Sequence, residues 1–202
     1  MRIALALVVA LLFVPVPVAA AEPQPGAPAA AAPPSQAAKA DELDSLFAAL
    51  GTVTEEGDAR IVEARIQALW LESGDAEVDR LMDYAIAATN ARAYELAIGY
   101  LDSIVLRKPD FAEGWNKRAT VYWLMGADDP SLYDRSLADI DRTLMLERRH
   151  WGALAGRGWI MQDLGEHRKA VEAFRQSLAI DPWREDVRVS LRLLEDKLGK
   201  GI

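Results

Sequence analysis

Not one of the 202 residues is cysteine. Disulfides are excluded, and so is a lipid-modified cysteine at an export cleavage site, so stability has to come from packing. Histidine is nearly as scarce. His150 and His167 are the two in the chain, and neither has a partner at metal-ligand or acid–base spacing, which argues against a catalytic or metal site. Asp128, Asp129 and Asp134 lack the alternating acids and glycine of a calcium loop. There is no glycine-rich phosphate loop and no serine elbow, and hence no expected cofactor and no expected enzyme. Basic charge is also short, with 23 Lys and Arg against 31 Asp and Glu. A phosphate backbone needs a basic surface, so nucleic acid is not an expected partner.

What is present begins with an export signal. Arg2, an apolar run from Ile3 to Val14, a PVPV breaker and Ala19-Ala20-Ala21 read as a signal peptide over 1–21 that directs the chain to the periplasm. The run is shorter than the roughly 20 residues of a spanning helix, so membrane attachment is expected only if the signal stays uncleaved. Residues 22–40 follow, with five prolines and eight alanines, and read as a semi-extended linker of up to about 60 Å. It is either a passive tail or a spacer. Asp41 to Asn90 holds 12 acids and 3 bases, whereas the remainder to Ile202 is balanced at 18 of each. That acidic end is either a solvated face or a dock for a basic partner.

From Asp41 onward apolar residues recur with helical spacing, broken at short intervals by Gly, Pro and polar turns. The expected hairpins cover about 43–74, 78–109, 112–148 and 151–182, with a last helix over 185–198. Small residues keep a register. Ala119 lies 34 residues after Ala85 and Gly158 lies 39 after Ala119, while Ser136 lies 39 after Ala97 and Ala170 lies 34 after Ser136. One five-residue insertion around Ala127–Ser131 reconciles both columns with a 34-residue period of two helices. Small side chains at these places let the helices of each hairpin approach closely.

In this register Leu154, Arg157-Gly158, Met161, Ala170, Phe174 and Pro182 align with Trp115, Arg118-Ala119, Tyr122, Ser136 and Ile140, and with Leu81, Tyr84-Ala85, Ala88, Ala97, Leu101 and Pro109. The pattern resembles the tetratricopeptide-repeat (TPR) family. The resemblance implies an all-α solenoid of antiparallel hairpins, with three clear repeats and a C-terminal capping helix. A first hairpin begins well at Phe47 and Leu50-Gly51, but Glu63 and Gln67 fill its second-helix core slots, so it reads as a divergent cap. Arg118 and Arg157 stand where leucine is usual, and are expected to pair with acids such as Asp139 or Asp141 or else to reach solvent.

The resemblance also implies a concave groove lined by first helices. By register its wall is Met82, Ile86 and Thr89, then Asn116, Thr120 and Trp123, then Ala155, Trp159 and Gln162. Asn116 alone matches the asparagine and lysine clamp some relatives use for a peptide carboxylate, so that clamp is not expected. Trp123 and Trp159 are either peptide anchors or packing. The function implied is a non-enzymatic periplasmic scaffold for a protein or peptide partner. The competing readings are a homo-oligomer built through the acidic end or the last helix, and an accessory subunit of an envelope enzyme.

Overall fold

The computed structural model describes residues 36–199. The signal expected over 1–21 and the linker up to residue 35 lie outside the described residues. Among those described, all regular structure is helical: α1 (Gln36–Leu50), α2 (Glu56–Leu71), α3 (Ala76–Asn90), α4 (Tyr94–Arg107), α5 (Ala112–Gly126), α6 (Leu132–Leu146), α7 (Trp151–Asp163), α8 (His167–Ile180) and α9 (Glu185–Gly199). No described helix is long and apolar enough to cross a membrane. One boundary needs correction. The linker was expected to run to Ala40, but α1 starts at Gln36. Gln36-Ala37-Ala38-Lys39-Ala40 follows the last proline of that stretch and consists of good helix formers. Lys39 Nζ also donates to the Glu72 main-chain carbonyl at 2.5 Å, which ties this added turn to the α2–α3 link.

The pairs α3–α4, α5–α6 and α7–α8 form the three repeats, each stacked on the next, and α9 closes against α8. Close approach explains the small residues. A side chain on Gly158 would come within 2.3 Å of the Phe174 ring, and Ser136 Oγ donates to the Ala119 carbonyl at 2.7 Å. The α7–α8 turn places Gly165 at φ 76°, and its counterpart Arg92 in the α3–α4 turn adopts φ 58°. The first is free for glycine, while the second costs arginine about 1 kcal/mol. The inserted residues form the α5–α6 turn, where Asp129 Oδ1 accepts from the Ser131 backbone N–H at 3.1 Å and from its hydroxyl at 2.7 Å.

Both interrepeat arginines find acids. Arg118 donates to the two Asp139 oxygens at 2.7 and 2.8 Å and to Asp102 of the preceding repeat at 2.7 Å. Arg157 bonds Asp141 of the preceding repeat. Core residues Met82, Leu101 and Ile104 fill the first repeat, Ile140 and Ile160 the joint of the second and third, and Phe174 with Val187 and Leu194 the end.

The first hairpin departs from stacked order. Its apolar side, Leu43, Leu50, Ile66, Leu69 and Trp70, packs with Trp151, Ile180 and Trp183, while Leu71 at the end of α2 reaches the core of α3 and α4. It therefore caps the edge where the later repeats join, instead of the end where the first repeat begins. The aromatic residues decide this. Trp70 stacks on His150 at 4.1 Å and meets Trp151 at 4.5 Å, while Phe47 lies edge-on to Trp151 at 5.8 Å. Arg149 sits over the Phe47 ring at 4.1 Å and bonds Asp44 at 2.6 Å. The repeat register carries no trace of these contacts.

Candidate functional site

Helical spacing on α5 and α7 brings Asn116, Thr120, Trp123 and Trp159 around one hollow of about 60 Å³, floored by Gly152 and Gly156. Trp123 and Trp159 stack with centroids 5.6 Å apart and planes 19° from parallel. Their polar edges are fixed from the side. Trp123 Nε1 donates to Asp163 at 2.9 Å, and the Tyr133 hydroxyl reaches the same oxygen at 3.3 Å. Trp159 Nε1 approaches Ser190 Oγ at 3.4 Å, and its ring meets Phe174 edge-on. Thr120 is exposed and both tryptophans are half-buried. A hollow of this size holds on the order of a few waters or one small aliphatic side chain.

Other residues of the expected groove are placed differently. Met82, expected in the wall, is 2% exposed and belongs to the first repeat's core; Ile86 packs against the same cluster. The matching positions Asn116 and Ala155 are buried as well, so this row of the register faces the core in all three repeats. Ala155 is buried in the terminal cluster. Gln162 and Thr89 stay half-buried. Asn116 gives its amide to Glu113 at 3.1 Å, which leaves it engaged by the protein itself. Among the described residues, no group of three or more His, Asp and Glu is placed to hold a metal ion.

A second polar cluster lies under the first hairpin. His150 Nδ1 accepts from the Ala153 backbone N–H at 3.1 Å, capping α7, which leaves Nε2 to donate to Glu113 at 2.8 Å. Both side chains are buried. Burial works against a charge on Glu113, yet the hydrogen bond from His150 and the Lys117 ammonium at 3.0 Å bring its pKa down to about 2. His150 is thus a buried cap and a stacking platform. His167 begins α8, and its Nε2 lies 2.9 Å from Lys197 Nζ. Next to this cluster is the larger hollow, about 540 Å³, between α1 and the repeat links, with Lys39, Leu43, Trp70, Lys108 and Phe111 in its wall. Its acids are engaged: Asp79 by the Ser73 N–H, Glu147 by Arg149, and Glu113 as above.

No family model matches the chain. A TPR repeat-containing protein of Rhizobium etli is 33% identical over 156 residues, which span 77% of this chain and 74% of that protein. The chain belongs to the tetratricopeptide-repeat family. Solved TPR structures share the fold at lower identity. A thermophilic TPR protein of Thermus thermophilus is 18% identical with a TM-score of 0.56, covering 80% of this chain and 84% of its own. The first TPR domain of Spaghetti (RPAP3), solved with an HSP90 peptide, is 17% identical with a TM-score of 0.56, covering 61% and 94%. The TPR solenoid read from the 34-residue register is therefore the fold observed, in a family whose members are generally non-catalytic scaffolds.

Proposed function

We propose that this TPR protein is a non-enzymatic periplasmic scaffold that holds an extended peptide segment of a partner protein along α5 and α7. The observation that carries the reading is the Trp123–Trp159 stack beside exposed Thr120. Two stacked indoles offer a broad apolar platform, and the 60 Å³ hollow next to them accepts one small side chain of the segment. Aromatic platforms of this kind dominate interface energetics. The TPR neighbour solved with a peptide supports the mode of action. The export signal read over 1–21 supports a periplasmic encounter, with a mature chain expected to begin near Glu22.

Trp123→Ala removes half the platform at a half-buried position on the edge of the Ile140–Ile160 cluster. The test is affinity capture from a periplasmic extract with the intact protein and the Trp123→Ala variant side by side, followed by titration of whichever peptide is recovered. A loss of at least tenfold in affinity is expected. Equal capture by both proteins refutes the groove. N-terminal sequencing of the exported protein tests the signal, and a start at Met1 refutes cleavage.

A further inference from the structure

The displaced first hairpin reaches the first repeat's core through Leu71 but leaves Tyr84 beside it exposed, and the register defines what that face is built to receive. At the two internal joints, the residue in this slot is an arginine that takes an acid from the second helix of the repeat before it, Arg118 from Asp102 and Arg157 from Asp141. There the joint is closed. The Arg118 side chain is 17% exposed, and its neighbour Tyr122 is 8% exposed. In the first repeat the same slot holds Tyr84, 49% exposed and tilted against the Tyr100 ring with centroids 5.5 Å apart, and Leu96 one turn before Tyr100 is 53% exposed. Tyr84 and Tyr100 thus form an aromatic strip where a preceding helix would lie, with Leu96 on its rim, at the position where Arg135 and Lys169 stand exposed in the stacked repeats.

The charge pattern reverses along with the slot. At the internal joints the receiving side is basic and the incoming helix acidic. Here the receiving residue is aromatic and the flanking carboxylates Asp83 and Glu95 are exposed and, among the described residues, in no ion pair. Arg80 on the same helix is already held by Glu77. Arg92 stands at the turn beyond Leu96. A lysine or arginine on the incoming helix would meet both the carboxylates and the faces of Tyr84 and Tyr100. We infer that the front face of the first repeat docks an amphipathic helix of a partner protein, with an apolar stripe over Leu81, Tyr84, Leu96 and Tyr100 and basic residues along its flank. Such a helix completes the solenoid at a place separate from the groove.

The test uses the full chain and two fluorescein-labelled 18-residue peptides, one of leucine and lysine in helical spacing and one with glutamate replacing each lysine. Anisotropy titrations at physiological salt are run against the protein, against a Tyr84→Ser/Leu96→Ser variant, and against Trp123→Ala. Both substituted residues are surface-exposed, so folding is preserved. The lysine peptide is expected to bind at least tenfold more tightly than the glutamate peptide and to lose at least tenfold with Tyr84→Ser/Leu96→Ser. Trp123→Ala should change nothing, which separates this site from the groove. Equal affinity of the Tyr84→Ser/Leu96→Ser variant, equal binding of the two peptides, or no binding at millimolar peptide overturns the proposal. So does sedimentation of the unliganded chain as a dimer that Tyr84→Ser/Leu96→Ser dissociates, because the occupant would then be a second copy.

Discussion

Replacing Glu63 by glutamine should make the protein more stable at pH 8 and remove a fall in stability that the unaltered chain shows between pH 5 and 8. Glu63 projects from α2 toward Asp181 at the end of α8, where the first hairpin meets the repeats. Burial first, and then the Asp181 carboxyl beside it, push Glu63 up to about 7 from an ordinary 4.5, and burial raises Asp181 as well. Asp181 Oδ1 accepts from the Trp183 N–H at 3.1 Å, while Oδ2 is buried without a hydrogen bond of good geometry. Because the folded state holds a proton that the unfolded state gives up above pH 4.5, stability is fully present below that value and is lost as pH rises through 7. The full shift corresponds to about 3 kcal/mol at 1.36 kcal/mol per unit. Glu63 is only half-buried, and solvent screening reduces this to roughly 1–2 kcal/mol. An amide at this position donates to Asp181 at every pH. Thermal unfolding followed by circular dichroism at pH 5, 6, 7 and 8 is the assay. The expected gain at pH 8 is about 2–8 °C in Tm for a domain of this size, with a flatter profile in the variant. Parallel profiles for the two proteins would refute the assignment of this proton to Glu63.

Three further outcomes follow from the buried contacts. His150→Ala strips the cap from α7 and leaves the Glu113 carboxylate buried without its closest donor; a loss of about 3–5 kcal/mol is expected in urea unfolding, and a loss below 1 kcal/mol would contradict the geometry. As pH falls from 4.5 toward 2, the unaltered protein should also lose the stability that the depressed Glu113 provides, the opposite direction to Glu63, and the acid limb should be missing in Glu113→Gln. Gly158→Ala drives a methyl into the Phe174 ring and should cost about 1–3 kcal/mol; restoration by Gly158→Ala/Phe174→Leu would locate the strain, and an unchanged midpoint in the single variant would refute it.

The repeats were legible in the sequence because a repeat writes the same contact several times. Ala119 and Gly158 announced close helix pairs, Arg118 and Arg157 announced their acids, and a single offset located the Ala127–Ser131 turn. The first hairpin obeys no such rule. Asp44 meets Arg149 and Phe47 meets Trp151 across roughly a hundred residues, and a contact made once leaves no period. One sign of it was visible: Glu63 and Gln67 in slots that a stacked hairpin fills with apolar side chains. The groove was half legible for the same reason. Register brought Trp123 and Trp159 together, but it could not foresee that the row of Met82, Asn116 and Ala155 would face the core. Asp163, which fixes the indole of Trp123, carried no signal at all. Nor did the start of α1, where an alanine-rich stretch after prolines reads equally as tail or helix.

The hairpin's docking has a consequence for the order of events during synthesis. Leu43, Phe47 and Trp70 are translated early, but Trp151, Ile180 and Trp183, which cover them, come last. At about 5–20 residues per second the first hairpin waits on the order of ten seconds for its cover. During that interval each completed repeat can already stack on its predecessor, whereas the oldest part of the chain still presents bare aromatic surface. The N-terminal hairpin is thus made first and finished last. A factor that recognises exposed apolar helices has its longest opportunity there, and truncation before His150 would leave the Phe47 and Trp70 rings without their aromatic cover.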